Sequence, residues 1–404
     1  MRELKHLIYL ESLLDQVNNE LVRKGQEEGG IAIGYTCFHA PEVFLNIGKA
    51  FSVRLRAPHT NSMEMATYYM ANNSCEFSRA VLEQALEGGY QFLDGVAAVD
   101  VCEAGTRAWE NLAILQCQGP DKKKFFIHNL DVPYSDDEDC VEHIVEQVTR
   151  KILKPLHDNY GIDISDASIR AAVAEQNEVS RVLTEIGEFR KLENPPITGY
   201  EYALLVLASY ICPKALILDI LKETLEEVKQ REPDPKPSYR IRVGVVGSEI
   251  DDPSLIKLIE DCGAMVVFDR YCYGSFPGRQ VIELTDDEDA VTHVCRWYLH
   301  NTECPRHCAL HRVKHRNDYV AELYKDFKAD GVIYENMKFC TYWSYERVIA
   351  NQVMPRDYGL NVLGIDRPYI SGASGQLRTR VQAFVEATEI KKLQSATKEE
   401  GLNV

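Results

Sequence analysis

The sequence predicts an α/β protein in which two related parallel-sheet domains flank a helical region. Short apolar strands alternate with segments of helical spacing over residues 29–138, and the same alternation returns over residues 238–404. The stretch between them keeps helical spacing and has few strand signals. We therefore divide the chain into an N-terminal helix (1–28), a first α/β domain (29–138), a helical region with a linker (139–237) and a second α/β domain (238–404).

The first domain follows an N-terminal segment whose apolar spacing predicts one amphipathic helix. A strand–helix alternation then favours parallel strands joined by crossover helices. The predicted elements, in order, are the strand "GIAIGYTCF", the helix "APEVFLNIGKAF", the helix "SCEFSRAVLEQALEGG", the strand "DGVAAVDVC", the helix "AGTRAWENLAIL" and the strand "KKKFFIHNLDVP".

The second domain begins after a charged, proline-broken linker, "KQREPDPKPSYR". Before that linker, the longest apolar run, "YALLVLASYICPKALIL", contains a proline and a lysine and predicts a buried helix pair rather than a membrane span. The elements of the second domain are the strand "RIRVGVVG", the helix "DDPSLIKLIEDCG", the strand "AMVVFDRYC", two helices, the strand "DGVIYENMKF", a helix from about Tyr342, the strand "LNVLGIDRP" and the last helix "GQLRTRVQAFVEATEI".

The two domains share a layout that leads to a cysteine at the same point. Asp94 opens a strand that leads to Cys102, and Asp330 opens a strand that leads to Cys340. In both domains a helix and a further strand follow. The carboxyl ends of parallel strands form the edge at which open α/β sheets bind ligands. We therefore expect Cys102 and Cys340 at matching ligand-binding edges of two sheets.

Charge and composition exclude several classes of function. The 404 residues carry a net charge of −17, which disfavours a nucleic-acid partner because phosphate binding requires basic patches. The first residues, "MRELKHLIYLESLLDQ", mix charges and lack the apolar core of a signal peptide. We expect a soluble, cytoplasmic protein with neither a nucleic-acid nor a membrane partner.

Twelve cysteines are many for a protein of a reducing cytosol, so metal or redox chemistry gains weight over a disulfide framework. Four of them, Cys117, Cys212, Cys262 and Cys295, lie in helix-like apolar patterns and fit small core residues. Cys140, in an acidic stretch, has no evident role. Six fall at strand ends, helix starts or loops, where function concentrates and a helix N-terminus stabilises a thiolate: Cys37, Cys75, Cys102, Cys272, Cys304 and Cys340.

Two metal chemistries fit these positions. Thiolates hold iron–sulfur clusters, and the dispersed spacing is that of a site around which a fold closes. Zinc is the alternative, because "CPRHCALHRVKH" brings thiols and imidazoles into a short span and zinc takes four such ligands. This segment lacks paired C-x₂-C elements, so we rank zinc below a solvated helix and below a cluster role for its first cysteine. The zinc candidates are Cys304, His307, Cys308, His311 and His315.

Motifs along nearly the whole chain carry a family resemblance. In order they are "TCFHAPEV", "NSCEFSRAVL", "VDVCEAGTRAWENL", "LENPPITGYE", "VGVVGSEIDDPSLIKLIEDCGAMVVFDRYCYGS", "YLHNTECPR", "ADGVIYENMKFCTYW" and "SGASGQLRTRVQAFVE". Together they resemble the 2-hydroxyacyl-CoA dehydratase and benzoyl-CoA reductase superfamily. The resemblance implies that Cys75, Cys102 and Cys340 hold one four-iron cluster and leave one iron open.

The cysteine pattern is most similar to the double-cubane cluster proteins of that superfamily, in which three more cysteines help to hold a larger cluster of two linked cubanes. The matching positions are Cys37, Cys272 and Cys304. The chain departs from many members where they carry Asp after the second and the last cysteine, since it has Glu103 and Thr341 there. The resemblance implies two facing domains that share an iron–sulfur cluster, double-cubane or single [4Fe–4S], in the cleft between them.

The resemblance further implies an enzyme, either an iron–sulfur reductase or an acyl-CoA dehydratase. In the first hypothesis, a homodimer accepts low-potential electrons from a separate ATP-hydrolysing iron–sulfur activator and reduces a small molecule at a double-cubane-type cluster. The alternative is a subunit of a 2-hydroxyacyl-CoA dehydratase or benzoyl-CoA reductase with one [4Fe–4S] cluster, an acyl-CoA substrate and a homologous sister subunit. A third hypothesis is a non-catalytic electron-storage or scaffold protein. The acid or base is not identified, and the candidates near the site are Glu103, Glu346, Tyr273 and Arg107.

Overall fold

The computed structural model of the chain describes residues 1–117, 125–275, 280–370 and 374–401. Within them, two four-stranded sheets contain only parallel strand pairs. The first sheet has the order β2-β1-β3-β4 and the second has the order β6-β5-β7-β8, so both follow the same topology. The strands are β1 (Ile31–Tyr35), β2 (Ala50–Arg54), β3 (Gly95–Asp100), β4 (Phe126–Asp131), β5 (Ile241–Gly247), β6 (Ala264–Tyr271), β7 (Gly331–Met337) and β8 (Val362–Arg367). The prediction of two related parallel-sheet α/β units is confirmed.

Helices cover the sheets and fill the region between them. They are α1 (Leu7–Leu14), α2 (Glu20–Glu27), α3 (Glu76–Leu86), α4 (Glu103–Cys117), α5 (Glu138–Val148), α6 (Lys154–Tyr160), α7 (Asp166–Glu188), α8 (Gly199–Ile211), α9 (Lys214–Gln230), α10 (Ser254–Asp261), α11 (Ala290–His300), α12 (Leu310–Asp326), α13 (Thr341–Asp357) and α14 (Ser374–Gly401). A π-helical turn, Thr149–Leu153, joins α5 to α6.

The N-terminal segment differs from the single helix that we predicted. It forms two helices, α1 and α2. The second begins anew because the Asn19 side chain accepts a hydrogen bond from the backbone N–H of Val22 at 3.0 Å, which satisfies a free donor of the first turn.

The strand β2 was missed, since "APEVFLNIGKAF" was predicted as one helix. Only the short 3₁₀ turn Glu42–Leu45 is helical there. Asn46 ends the turn: its side chain accepts from the backbone N–H of Ser52 and donates to the carbonyl of Glu42. Gly48 then adopts a φ of 62°, which reverses the chain into β2.

An aspartate anchors the third strand of each sheet in the same way. The Asp94 carboxylate accepts from the N–H of Ala32 at 2.9 Å, and the Asp330 carboxylate accepts from the N–H of Arg242 at 2.9 Å. In each pair the backbone N–H of the aspartate donates to the carbonyl of its partner. The repeated Asp-Gly-Val motif therefore ties the third strand to the first strand of each sheet.

The apolar run between the domains is a buried helix and the start of the next. Every residue of α8 except Tyr200 is buried, and Pro213 separates this helix from α9. Thr198 and Glu201 form a reciprocal capping box at the start of α8. One continuous hydrophobic core includes residues of both sheets and of this helix. In the part of the chain that the structure describes, no helix is long and apolar enough to cross a membrane.

Candidate metal centre between the two sheets

The six cysteines at element ends line one cavity between the carboxyl edges of the two sheets. The first sheet's domain supplies Cys37, Cys75 and Cys102, and the second supplies Cys272, Cys304 and Cys340. Two of these residues, Cys75 and Cys340, are the N-cap residues of α3 and α13. Cys37 lies two residues after β1, Cys272 follows β6, Cys102 precedes α4, and Cys304 lies between α11 and α12. Below, this space is called the cysteine cavity.

The loops that carry these thiols are tied together across the cleft. The backbone N–H of Glu76 donates to the carbonyl of Lys338 at 3.2 Å, which holds the start of α3 against the loop before α13. In that loop Phe339 has a φ of 67°, a left-handed conformation that is uncommon for an aromatic residue. Strain of this kind concentrates at functional sites. The next residue, Cys340, lines the cavity wall.

Burial controls the protonation of the thiols. It raises the pKa of Cys37 to about 12 and also raises the pKa of Cys102 and Cys272. The pKa of Cys75 is instead lowered to about 7, chiefly by a hydrogen bond from the Cys340 thiol, with help from backbone N–H groups of α3. Most of these thiols therefore keep their protons in the protein alone, and a bound cation would have to displace them.

Buried polar atoms in the cavity wall lack hydrogen-bond partners. Among the described residues these include Oγ1 of Thr36, Nη2 of Arg54 and Oε2 of Glu249, the last two lying 3.8 Å apart. Burial raises the pKa of Glu249 to about 8, and the nearby Arg54 opposes that shift. A buried polar group without a hydrogen bond costs free energy, so the wall is built for a polar occupant.

A pair of histidines joins the two domains at one side of the cavity. The rings of His39 and His307 are stacked with their Nε2 atoms 3.3 Å apart. Nδ1 of His307 lies 3.1 Å from the carbonyl of Tyr134, and Nδ1 of His39 lies 3.8 Å from Sγ of Cys37. Burial lowers the pKa of both rings, to about 4 for His307, so both are neutral at neutral pH. His307 Nδ1–H then donates to the carbonyl, and Nδ1 of His39 is left as an acceptor towards the thiol.

The candidate acids and bases from the sequence lie elsewhere. Glu103 is exposed at the start of α4, and Glu346 is buried in an ion pair with Arg316 at 2.9 Å. Neither is among the described residues that line the cysteine cavity. The Tyr273 hydroxyl donates to a backbone carbonyl, and exposed Arg107 pairs with a carboxylate one helical turn away. The structure thus gives each of the four a structural or surface setting.

The zinc candidates do not gather in one place. Cys304 lines the cysteine cavity, His307 stacks on His39 and Cys308 is exposed. His311 and His315 border a separate surface pocket. Across the residues that the structure describes, no group of three or more Cys, His, Asp or Glu side chains is arranged to hold a single metal ion. Six thiols around one larger space suit a multinuclear cluster better than one ion.

Two ionisable residues of the cavity wall were not found from the sequence. Arg54 is the last residue of β2, so it was missed with that strand. Glu249 lies two residues after β5. A signal was available for both, because each stands at the carboxyl end of a strand in a parallel sheet.

A family model described as "2-hydroxyglutaryl-CoA dehydratase, D-component" matches residues 37–388 of this chain. The chain belongs to this family. The match begins at Cys37 and spans all six cysteines of the cavity. Membership places the chain among the components of the 2-hydroxyacyl-CoA dehydratase and benzoyl-CoA reductase superfamily, which confirms the predicted resemblance.

Similar proteins have names that agree with this family. The (R)-phenyllactyl-CoA dehydratase beta subunit of Clostridium sporogenes is 23% identical over 382 residues, 93% of this chain and 96% of that subunit. A putative dehydratase subunit, YjiM, of Escherichia coli K12 is 20% identical over 89% of this chain and 92% of its own length. A benzoyl-CoA reductase subunit of Thauera aromatica is 22% identical over 66% of this chain and 67% of its own length. All three are named as subunits of a dehydratase or of a reductase.

Proposed function

We propose that this protein is the iron–sulfur catalytic component of an ATP-dependent two-component system that reduces a small molecule. The observation that carries the proposal is the set of six thiols, three from each domain, around one cavity. In this proposal Cys75, Cys102 and Cys340 hold one cubane. The other three, Cys37, Cys272 and Cys304, hold the second half of a double-cubane cluster. When bound, such a cluster supplies single low-potential electrons to a substrate.

The chain's own residues prepare the cavity for this role. The aromatic side chains of Phe38, Trp109 and Trp343 line it and exclude water, which strengthens electrostatic interactions inside. Arg54 is buried, with 1% of its surface exposed, and places a permanent positive charge beside the thiolates. Cys75 is the thiol most easily deprotonated, because its pKa is lowered to about 7, so we expect it to bind iron first.

A protein partner is part of the proposal. The surface next to Cys340 exposes Phe339 at 43%, Tyr345 at 63% and Val348 at 53%. The last two share one face of α13, three residues apart. Exposed apolar side chains grouped beside a redox site support docking of a second protein. We assign this face to the electron-delivering activator and expect the chain itself to form a homodimer.

The relatives support a second candidate function. All three carry the names of enzyme subunits. In that case only Cys75, Cys102 and Cys340 hold a cluster, a single [4Fe–4S], and an acyl-CoA binds together with a sister subunit. The two candidates differ in iron content, about eight against about four per chain.

The proposed function is tested by anaerobic mixing of the purified chain with the ATP-hydrolysing activator of its source organism and a chemical reductant. We expect the visible spectrum of the cluster to bleach only when activator and ATP are both present. Full reduction and substrate turnover with a simple donor, without activator or ATP, would contradict the proposal. Copurification of the chain with a homologous sister subunit would favour the second candidate.

A further inference from the structure

A second, smaller space adjoins the cysteine cavity. Arg54 and Phe38 line both spaces and form the wall between them. Exposed Gln280 lies at its rim. We call this space the side chamber; its other principal lining residues are Tyr35, Gln176, Tyr210, Trp297 and Tyr298.

Arg54 is a buried cation whose hydrogen bonds are incomplete. Its Nη1 donates to the carbonyl of Cys272 at 2.6 Å, while Nε and Nη2 have no hydrogen-bond partner among the described residues. Its guanidinium stacks on the ring of Tyr273 at 3.8 Å. The carboxylate oxygen of Glu249 lies 3.8 Å from Nη2, too far for a hydrogen bond. Two buried guanidinium donors without acceptors are costly unless something else accepts from them.

Other polar groups of the side chamber are also without partners in the described part of the chain. Tyr35 is 1% exposed, and its hydroxyl makes no hydrogen bond there. Oε1 of Gln176 is likewise unpartnered, and a half-turn of that amide would present its N–H instead. The contrast is Tyr210, whose hydroxyl in the same chamber donates to the carbonyl of Gly274 at 2.9 Å. Unpartnered polar groups are therefore confined to particular residues of the wall, Tyr35 and Gln176, and are not a general feature of the chamber.

Glu42 is the one carboxylate among the described residues that line the chamber, and it is already compensated. Its Oε1 lies 2.6 Å from the ammonium of Lys214 and accepts from the hydroxyl of Ser52 at 2.7 Å. Both members of the ion pair are buried. The guanidinium of Arg54 is paired less closely, since its nearest carboxylate, Glu249 of the cysteine cavity, lies 3.8 Å from Nη2.

We infer that the side chamber binds a small anion of a few non-hydrogen atoms, such as a short carboxylate or a halide, between Arg54 and the hydroxyl of Tyr35. The anion accepts from Nε of Arg54 and from the Tyr35 hydroxyl, whereas Nη2 lies 3.8 Å from Glu249 of the cysteine cavity. Its size is limited by the aromatic walls. As an entry site for a small polar substrate the chamber rests on the proposed function, whereas anion binding itself does not require the cluster.

The location is tested by crystals of the full chain, prepared anaerobically with its metal content and grown in bromide. We expect an anomalous bromide peak within contact distance of Arg54 Nε and of the Tyr35 hydroxyl. Ordered water in the chamber without bromide, or bromide only on the surface or in the cysteine cavity, would overturn the inference.

The chemistry is tested by titration of ¹³C-labelled formate, followed by NMR, against matched variants. Tyr35→Phe removes a hydroxyl without a partner, so the variant should fold normally and bind formate about tenfold more weakly, as expected for a lost hydrogen bond to a charged group. Tyr210→Phe removes a hydroxyl that is bonded elsewhere, so its formate affinity should match the unmodified chain. Equal affinities in both variants would overturn the inference.

Iron analysis of the same samples separates this inference from the proposed function. If the chain holds iron and does not bind formate, the anion site in the side chamber is contradicted and the proposed function is not. If the chain binds formate and holds no iron, the anion site is supported and the proposed function is contradicted.

Discussion

The two α/β domains share one topology and differ in the side chain that stands at each strand end. After the first strand of each sheet, the first domain has the thiol of Cys37 and the second has the carboxylate of Glu249. At the end of the second strand the order reverses, with Arg54 in the first domain and Cys272 in the second. Only after the third strand do both domains place a thiol.

The exchange of side chains at these strand ends shows how two similar scaffolds make one asymmetric site. The shared framework fixes where side chains can reach the cleft, since the carboxyl edges of both sheets face the same cavity. The exchanged positions then bring Arg54 close to Glu249 and Cys272, across the boundary between the domains. We interpret the third-strand thiols as the shared part of the site and the other positions as the part that sets the cluster type.

The largest expected effect concerns the matched thiols of the third strands. If Cys102 and Cys340 are equivalent ligands, Cys102→Ser and Cys340→Ser should each remove nearly all iron, because hydroxyl is a poor iron ligand beside thiolate. Cys295→Ser is the control, since that thiol is buried in α11 away from the cavity. If only one of the two variants keeps its iron, Cys102 and Cys340 are not equivalent ligands.

A smaller loss of iron is expected at Cys272, where the second domain has a thiol and the first domain has Arg54. Cys272→Ser should lower the iron content to about half and change the visible spectrum while the chain stays folded, because the second cubane depends on it. Cys308→Ser, at an exposed thiol four residues from Cys304, should change neither. If Cys272→Ser keeps all its iron, the larger cluster is excluded and the single cubane of Cys75, Cys102 and Cys340 becomes the better account.

The central strands should respond unequally to the same substitution. An added Cβ at Gly244 would lie 1.9 Å from the ring of Phe268, a fully buried side chain. At Gly34 the nearest atom is the end of the Leu93 side chain at 2.7 Å, which can move. We expect Gly244→Ala to cost about 3 kcal/mol of unfolding free energy and Gly34→Ala about 1 kcal/mol or less, measured by urea denaturation. Equal costs would show that the two central strands are packed alike.

A pH dependence of stability is expected at the histidine pair that links the domains. Burial lowers the pKa of His307 from 6.5 to about 4, and that of His39 also falls. The unfolded chain then binds more protons, so stability is full above about pH 6.5 and is lost as pH falls towards 4. Urea midpoints of the metal-free chain should show this loss, and His307→Gln should reduce it. His59→Gln, at an exposed position, is the control and should leave the slope unchanged.

The parts of the structure that local sequence determines were predicted. The strands that carry Asp94 and Asp330 are apolar runs with a clear beginning, and cysteines at their ends are visible in the sequence itself. The strand β2 was not predicted, because a side-chain contact of Asn46 and the conformation of Gly48 decide where the helical turn stops. Arg54, the last residue of that strand, was therefore not predicted as a site residue.

The remainder of the site depends on contacts between distant segments. The end of β5 marks Glu249 as a residue of the sheet edge, but its burial and its pairing with Arg54 of the other domain are not visible in the local sequence. Glu346 was a candidate acid from its position near Cys340, yet Arg316 from another helix pairs with it. Burial and pairing of this kind come from tertiary packing and cannot be read from spacing along the chain.

In the proposed function, thiols from both domains hold one double-cubane-type cluster. Its most direct test is quantification of iron and acid-labile sulfide in the full chain, purified without oxygen, together with its visible spectrum. The account predicts about eight irons per chain and charge-transfer absorption from thiolate-bound iron. About four irons would assign the chain to the single-cluster alternative, and a folded chain without iron or sulfide would contradict the claim.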